Sequence, residues 1–204
     1  MGVYAEQVLP RLTNRLLGTK EFGKLRREAC AGLAGDVVEV GFGSGLNLAH
    51  LPDTVTGLWA VEPSGTATRL AARRIAQAGV PVEVVGVDGA RLSLPAGRFD
   101  AALSTMTLCT IPDVSGALRE LRRVLRPDGV LHFAEHGRAP VAAVARTQDR
   151  FNGLQMRLAG GCHLNRDVVA LITAAGFAVE QLRQFFLPGP KAWGYMSIGR
   201  ARSS

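Results

Sequence analysis

The chain has 204 residues, 47% of them apolar and 20% charged, with a net charge of +7 at pH 7. That is enough for one domain with its own core, and the composition excludes long disordered regions. No apolar run approaches the roughly 18 residues that cross a bilayer. The first thirty residues carry Glu6, Arg11, Arg15 and Lys20 instead of a signal-peptide pattern, so a cytoplasmic protein is expected.

The arginines are dispersed, with short clusters at 26–27, 73–74 and 122–123, and form no stripe interleaved with aromatics. That argues against a nucleic-acid partner. Cys30, Cys109 and Cys162 lie far apart in the chain, which suits reduced thiols better than a disulfide framework.

Residues 3–17 place Tyr4, Val8, Leu12 and Leu16 four apart, predicting a helix interrupted by Pro10 and ended near Gly18. It fits equally as a lid over a pocket or as a helix packed on a sheet. Its basic neighbours also suit peripheral contact with phospholipid headgroups.

Residues 36–41 read as a strand that runs into Gly41-Phe42-Gly43-Ser44-Gly45, and Leu46–His50 as the start of a helix. Residues 57–61 form a second strand ending at Glu62, and Thr66–Ala78 a helix closed by Gly79. Residues 82–87 form a third strand that stops at Asp88-Gly89, and 99–104 a fourth. Ser115–Leu125 is an amphipathic helix stopped by the turn Arg126-Pro127-Asp128-Gly129, ahead of a fifth strand at 130–134. Residues 140–160 are irregularly helical, and 167–175 form a helix capped by Gly176. Residues 177–187 and 193–200 form a closing strand pair. The alternation predicts an α/β, doubly wound, mostly parallel sheet with an antiparallel edge hairpin.

Ligands of such folds sit at the carboxyl ends of the strands, which puts the glycine turn in a nucleotide-like site. A dinucleotide fingerprint is G-x-G-x-x-G. Here the sixth position is Leu46, and the third glycine comes one residue early at Gly45. Glu39 lies two positions before Gly41, where a carboxylate accepts hydrogen bonds from an amino group and is badly placed beside a pyrophosphate. An NAD-dependent oxidoreductase is disfavoured.

The motif resembles the acidic-x-G-x-G-x-G of the class I S-adenosylmethionine-dependent methyltransferases, and three further motifs follow in order. Glu62 matches the family's ribose-binding acid, and Asp88-Gly89 its adenine-contacting acid. Residues 119–129 resemble its E-x-x-R-V-L-x-P-G-G segment, with Asp128 in place of the first glycine. Residues 103–110, 133–137 and 160–166 are similar to the C-T-L-x-L-C-S, x-x-E-H and G-C-x-L-x-R segments of the methyltransferase-like-7 thiol methyltransferases. Bacterial phospholipid and quinone methyltransferases share much of this pattern.

The resemblance implies a seven-stranded Rossmann-like methyltransferase domain spanning 1–204. Its parts are an N-terminal helical lid (1–30), a cofactor-binding core (31–135) and acceptor-side helices with closing strands (136–204). S-adenosylmethionine is the implied cofactor and S-adenosylhomocysteine the product. Glu39, Gly41, Phe42, Gly43, Gly45, Glu62, Pro63, Asp88, Gly89, Thr105, Met106 and Leu108 are the implied cofactor contacts. The implied partner is a small-molecule acceptor with a thiol, amine or hydroxyl. A membrane-associated phospholipid or quinone methyltransferase is the alternative, and a catalytically silent cofactor-binding module a remoter one.

His136, at the end of the fifth strand, is the candidate base, weighed against a structural histidine. Glu135 either orients an acceptor or pairs with an arginine. Cys162-His163 has no second pair at ligand spacing, so no metal is expected. Cys109 reads as a small buried residue, Asp100 as structural, and Trp193 and Tyr195 as core.

Overall fold

The computed structural model describes residues 3–85 and 92–203. Seven strands, β1 (Gly35–Val40), β2 (Val55–Val61), β3 (Val82–Val84), β4 (Phe99–Thr105), β5 (Leu125–His136), β6 (Phe177–Phe186) and β7 (Tyr195–Ser203), form one sheet. Their order is β3-β2-β1-β4-β5-β7-β6. The first five run parallel, and β7 is antiparallel to both β5 and β6. Helices cover both faces of the parallel part, so Val37 and Val38 of β1 are both fully buried although they point to opposite faces. Val38, Phe99, Leu118, Leu121 and Phe133 build one core, and Val37, Leu58, Ala71 and Leu103 the other.

The chain enters through a π-helical turn, Tyr4–Val8, followed by α1 (Leu9–Leu16), rather than one continuous α-helix. Pro10 has no N–H to donate back to residue 6, so the wider winding precedes it and α1 starts around it. Then comes α2 (Lys20–Cys30), which the sequence reading placed only within the N-terminal lid; it buries Leu25, Arg26, Ala29 and Cys30.

The helix expected from Leu46 is reduced to a 3₁₀ turn at Leu48–His50. Leu51 precedes Pro52, which forces it into an extended conformation and leaves no room for a longer helix.

The other helices are α3 (Gly65–Ala76), α4 (Val114–Val124), α5 (Ala142–Leu158), α6 (Val168–Ala174) and the single turn α7 (Lys191–Gly194). Ser64, Asp113 and Asp167 cap α3, α4 and α6, each accepting a backbone N–H three residues on.

The distal end of the expected third strand, with Asp88 and Gly89, lies outside the described residues. The expected turn at 126–129 is a bulge within β5: Phe99 pairs with Leu125, and Ala101 next with Val130. Asp128 there takes φ +66, the conformation glycine would ordinarily supply.

Asp100 has the expected structural role, accepting the Asp36 N–H at 2.8 Å and pairing with Arg126. The E-x-x-R segment is likewise structural. Glu120 pairs with Arg123 at 2.8 Å, and Arg123 donates to the carbonyls of Leu92 and Leu94. Tyr195 is buried as expected, but Trp193 is 42% exposed, its Nε1 donating to Gln155 Oε1 at 3.0 Å.

Candidate active site

The carboxyl ends of β1, β2, β4 and β5 converge on the glycine turn. The three glycines there serve different ends. A Cβ at Gly41 would stand 2.1 Å from Thr107 Oγ1, so this glycine lets the loop after β4 close against β1. One at Gly45 would press on Phe42, Leu48 and Ala71. One at Gly43 would meet nothing closer than the Gly41 carbonyl at 3.8 Å, leaving its backbone open to a ligand.

Beneath the turn lies a buried polar cluster. Asn47 Nδ2 donates to Glu39 Oε1 at 2.7 Å and to Thr105 Oγ1 at 2.9 Å. Arg26 Nη1 donates to Asn47 Oδ1 at 3.0 Å and to Thr105 Oγ1 at 2.9 Å. Arg26 Nε and Glu39 Oε2 are both buried without a hydrogen-bond partner. Burial pushes the Glu39 carboxyl up to about 8, against the bond from Asn47 and the charge of Arg26.

Glu62 accepts from Gly43 N–H at 2.7 Å with one carboxylate oxygen and from Ser64 N–H at 2.8 Å with the other. Each oxygen keeps a lone pair for a further donor. Pro63 beside it is exposed. Across the turn, Ser44 Oγ donates to Asn14 Oδ1 of α1 at 2.7 Å, and the Tyr4 hydroxyl donates to the Leu158 carbonyl at 2.7 Å. The N-terminal segment therefore rests on the glycine turn and reaches the end of α5.

The Methyltransferase domain family matches residues 38–133. Thiol S-methyltransferase TMT1B of Homo sapiens is 34% identical over 98 residues, covering 48% of this chain and 39% of that protein. Thiol S-methyltransferase TMT1A of Homo sapiens is 26% identical over 201 residues, covering 94% of this chain and 76% of that protein. Among solved structures, a SAM-dependent methyltransferase from Thermotoga maritima superposes with a TM-score of 0.69 at 22% identity, covering 99% of each chain.

Residues 38–133 resemble a methyltransferase domain, and the chain shares the fold of solved SAM-dependent methyltransferases. The residues present fit S-adenosylmethionine on the observed geometry. The two orphaned atoms, a guanidinium N–H and a carboxylate oxygen, match in charge the carboxylate and ammonium of an aminoacyl tail, and Gly43 leaves the approach open.

Other expected contacts fare differently. Thr105 is in the polar cluster, and Met106, at φ +55, stands half-buried at the turn after β4. Leu108, expected to line the donor, is fully buried in the core under α4, because the turn at Met106 redirects the side chains that follow. The Phe42 side chain also faces the core, so only its backbone borders the site. Asp88 and Gly89 lie outside the described residues.

Among the described residues Glu135 makes no salt bridge to an arginine. It accepts from Ser104 Oγ at 2.7 Å and from Thr107 N–H at 2.9 Å, holding the ends of β4 and β5 together. Burial raises its carboxyl to about 6 against these bonds.

At the end of β5, His136 is 6% exposed, and its buried Nε2 meets no oxygen or nitrogen partner. The strap around 160–166 closes over it. His163 N–H donates to the Cys109 carbonyl at 2.9 Å, and Arg166 Nη1 to the carbonyls of Leu108 at 2.6 Å and Ile111 at 2.7 Å. The strap brings the Cys162 sulfur to 3.5 Å from that of Cys109. Their contact, helped by His136, lowers the Cys162 thiol and raises that of Cys109.

Sequence reasoning missed Arg26, Asn47 and the Cys109–Cys162 pair. Arg26 had a signal: it falls on the stripe Phe22, Leu25, Ala29 and Cys30, which places it on the buried face of α2. The cysteines had none, being 53 residues apart.

Proposed function

We propose that this protein transfers the methyl group of S-adenosylmethionine to the sulfur of a small-molecule thiol. The observation that carries the reading is the opposed pair of unpartnered buried atoms, Arg26 Nε and Glu39 Oε2, at the end of the glycine turn. Arg26 holds the cofactor's carboxylate, and Glu39, with Asn47 and Thr105, its ammonium. Glu62 accepts from the ribose hydroxyls, Gly41, Gly43 and Gly45 form the cradle with Phe42 and Pro63, and Met106 borders the methyl-transfer end. Asp88 and Gly89 contact the adenine.

Bound there, S-adenosylmethionine supplies an electrophilic methyl on a sulfonium. The protein's share is to align the acceptor behind that methyl, exclude water and dispose of a proton. A thiol attacks as its thiolate, so a proton must leave. His136, at the acceptor end with a bare ring nitrogen, takes it. The N-terminal segment and the 160–166 strap cover the site. The thiol is favoured by the similarity to the thiol S-methyltransferases TMT1B and TMT1A. The free cysteines suit a reducing, cytoplasmic setting.

A second reading, in which the acceptor is lipophilic and is taken up at a membrane surface, is favoured by one observation. Val3, Tyr4, Val8, Leu12 and Leu16 are all at least 42% exposed along one segment, among exposed Arg11, Arg15 and Lys20. No described helix is long and apolar enough to cross a membrane.

Incubation with methyl-labelled donor and a panel of thiols, amines, phenols and quinols tests both readings. Labelled thioether and S-adenosylhomocysteine with thiols alone are expected. Transfer only to a quinol or an amine would move the acceptor, and no turnover with any would sink the activity.

A further inference from the structure

Three sulfur and nitrogen donors meet at the acceptor end from separate parts of the fold: Cys109 from the loop after β4, His136 from the end of β5 and Cys162 from the strap. One donor atom of each lies within 4.8 Å of the others. Two observations mark the cluster as more than packing. The sulfurs stand 3.5 Å apart, within a few tenths of the about 3.8 Å that separates two thiolates on one tetrahedral zinc at about 2.3 Å each. And His136, 6% exposed, has a buried Nε2 that no oxygen or nitrogen acceptor or donor satisfies and a ring whose interacting neighbour is the Cys162 thiol, a costly state that an ion shared by the two relieves.

We propose that Cys109, His136 and Cys162 bind a zinc(II) ion through two thiolates and one imidazole. The donor set selects thiophilic ions and rejects magnesium and calcium, which take oxygen ligands. Cys109 and His136 are buried in the interior, whereas Cys162 on the strap is partly exposed. The fourth coordination position opens on the Cys162 side. Two bound thiolates neutralise the ion, and their two protons leave to solvent. An ion and a proton compete for the imidazole, so the metal-loaded and proton-accepting forms of His136 are alternatives.

The test uses the whole, reduced protein without donor or acceptor, so its outcome is independent of the methyl-transfer reading. Titration with cobalt(II) as a spectroscopic stand-in is expected to give one equivalent with a sulfur-to-metal charge-transfer band and tetrahedral visible bands, both displaced by zinc. Cys109→Ser and Cys162→Ser are each expected to weaken zinc binding at least tenfold and to reduce the band. Absence of a thiolate band in the wild-type protein overturns the proposal whether or not the variants fold. So does a band unchanged in both folded variants.

Discussion

Arg26 stands across Asn47 from Glu39: its Nη1 donates to Asn47 Oδ1 at 3.0 Å, and Asn47 Nδ2 donates to Glu39 Oε1 at 2.7 Å. One amide thus separates a buried guanidinium from a buried carboxyl group, and each keeps one atom unpartnered. A salt bridge between them would have satisfied both charges internally. The inserted amide leaves one atom of each without a partner, which is what the proposed cofactor's zwitterionic tail requires.

That arrangement predicts a pH-dependent cofactor affinity. Burial raises the Glu39 carboxyl to about 8, so below that pH the cofactor-free protein holds a proton there. An incoming ammonium favours the carboxylate, and binding then releases the proton. Affinity is expected to rise with pH by at most about tenfold per unit, levelling off near the raised value. Calorimetry in buffers of different ionisation enthalpy counts the proton. Glu39→Gln is expected to weaken binding and abolish the release; a pH-independent wild-type affinity would contradict the assignment.

Glu62 holds the glycine turn to the start of α3 through Gly43 N–H and Ser64 N–H, and it has lone pairs left for the ribose. Glu62→Ala is expected to cost about 2 kcal/mol or more of cofactor binding. Isothermal titration giving the wild-type affinity would remove Glu62 from the site.

Gly41 and Gly43 separate fold from function within one turn. Gly41→Ala forces a Cβ into Thr107 at φ +72 and is expected to cost on the order of 3 kcal/mol of stability. Gly43→Ala, at φ +59 with open space before it, is expected to cost only about 1 kcal/mol of stability. It should nonetheless lower cofactor affinity at least about tenfold. Thermal melts beside titrations check the contrast, and the same ranking in both measurements would refute it.

What was legible in the sequence is what the chain writes locally. Glu39, the glycines and Glu62 lie at or just beyond the carboxyl ends of β1 and β2, where short motifs that resemble the family's mark them. Arg26 was hidden because it adjoins Arg27, and adjacent arginines look like a solvated pair; only one of them is on the buried stripe of α2. Leu108 follows the left-handed turn at Met106 and is buried in the core, which its place next to Thr105 and Met106 in the chain does not reveal. The Cys109–His136–Cys162 cluster depends on a strap docking by backbone and arginine contacts, and chain spacing does not encode that.

His132 sets the acid limit of the fold. Its Nδ1–H donates to the Ala29 carbonyl at 2.8 Å, joining β5 to α2, and burial lowers the imidazole from 6.5 to about 4. The folded state holds the neutral ring, whereas the unfolded chain takes up a proton below pH 6.5. The stability contribution is therefore complete above 6.5, declines as the pH falls and is lost by about 4. The shift corresponds to about 3 kcal/mol at most. Denaturation midpoints measured across this window are expected to fall in the wild-type protein. His132→Gln keeps a donor for Ala29 but cannot take up the proton, so its acid limb should be flatter. Parallel limbs in the two proteins would assign the acid sensitivity to other groups.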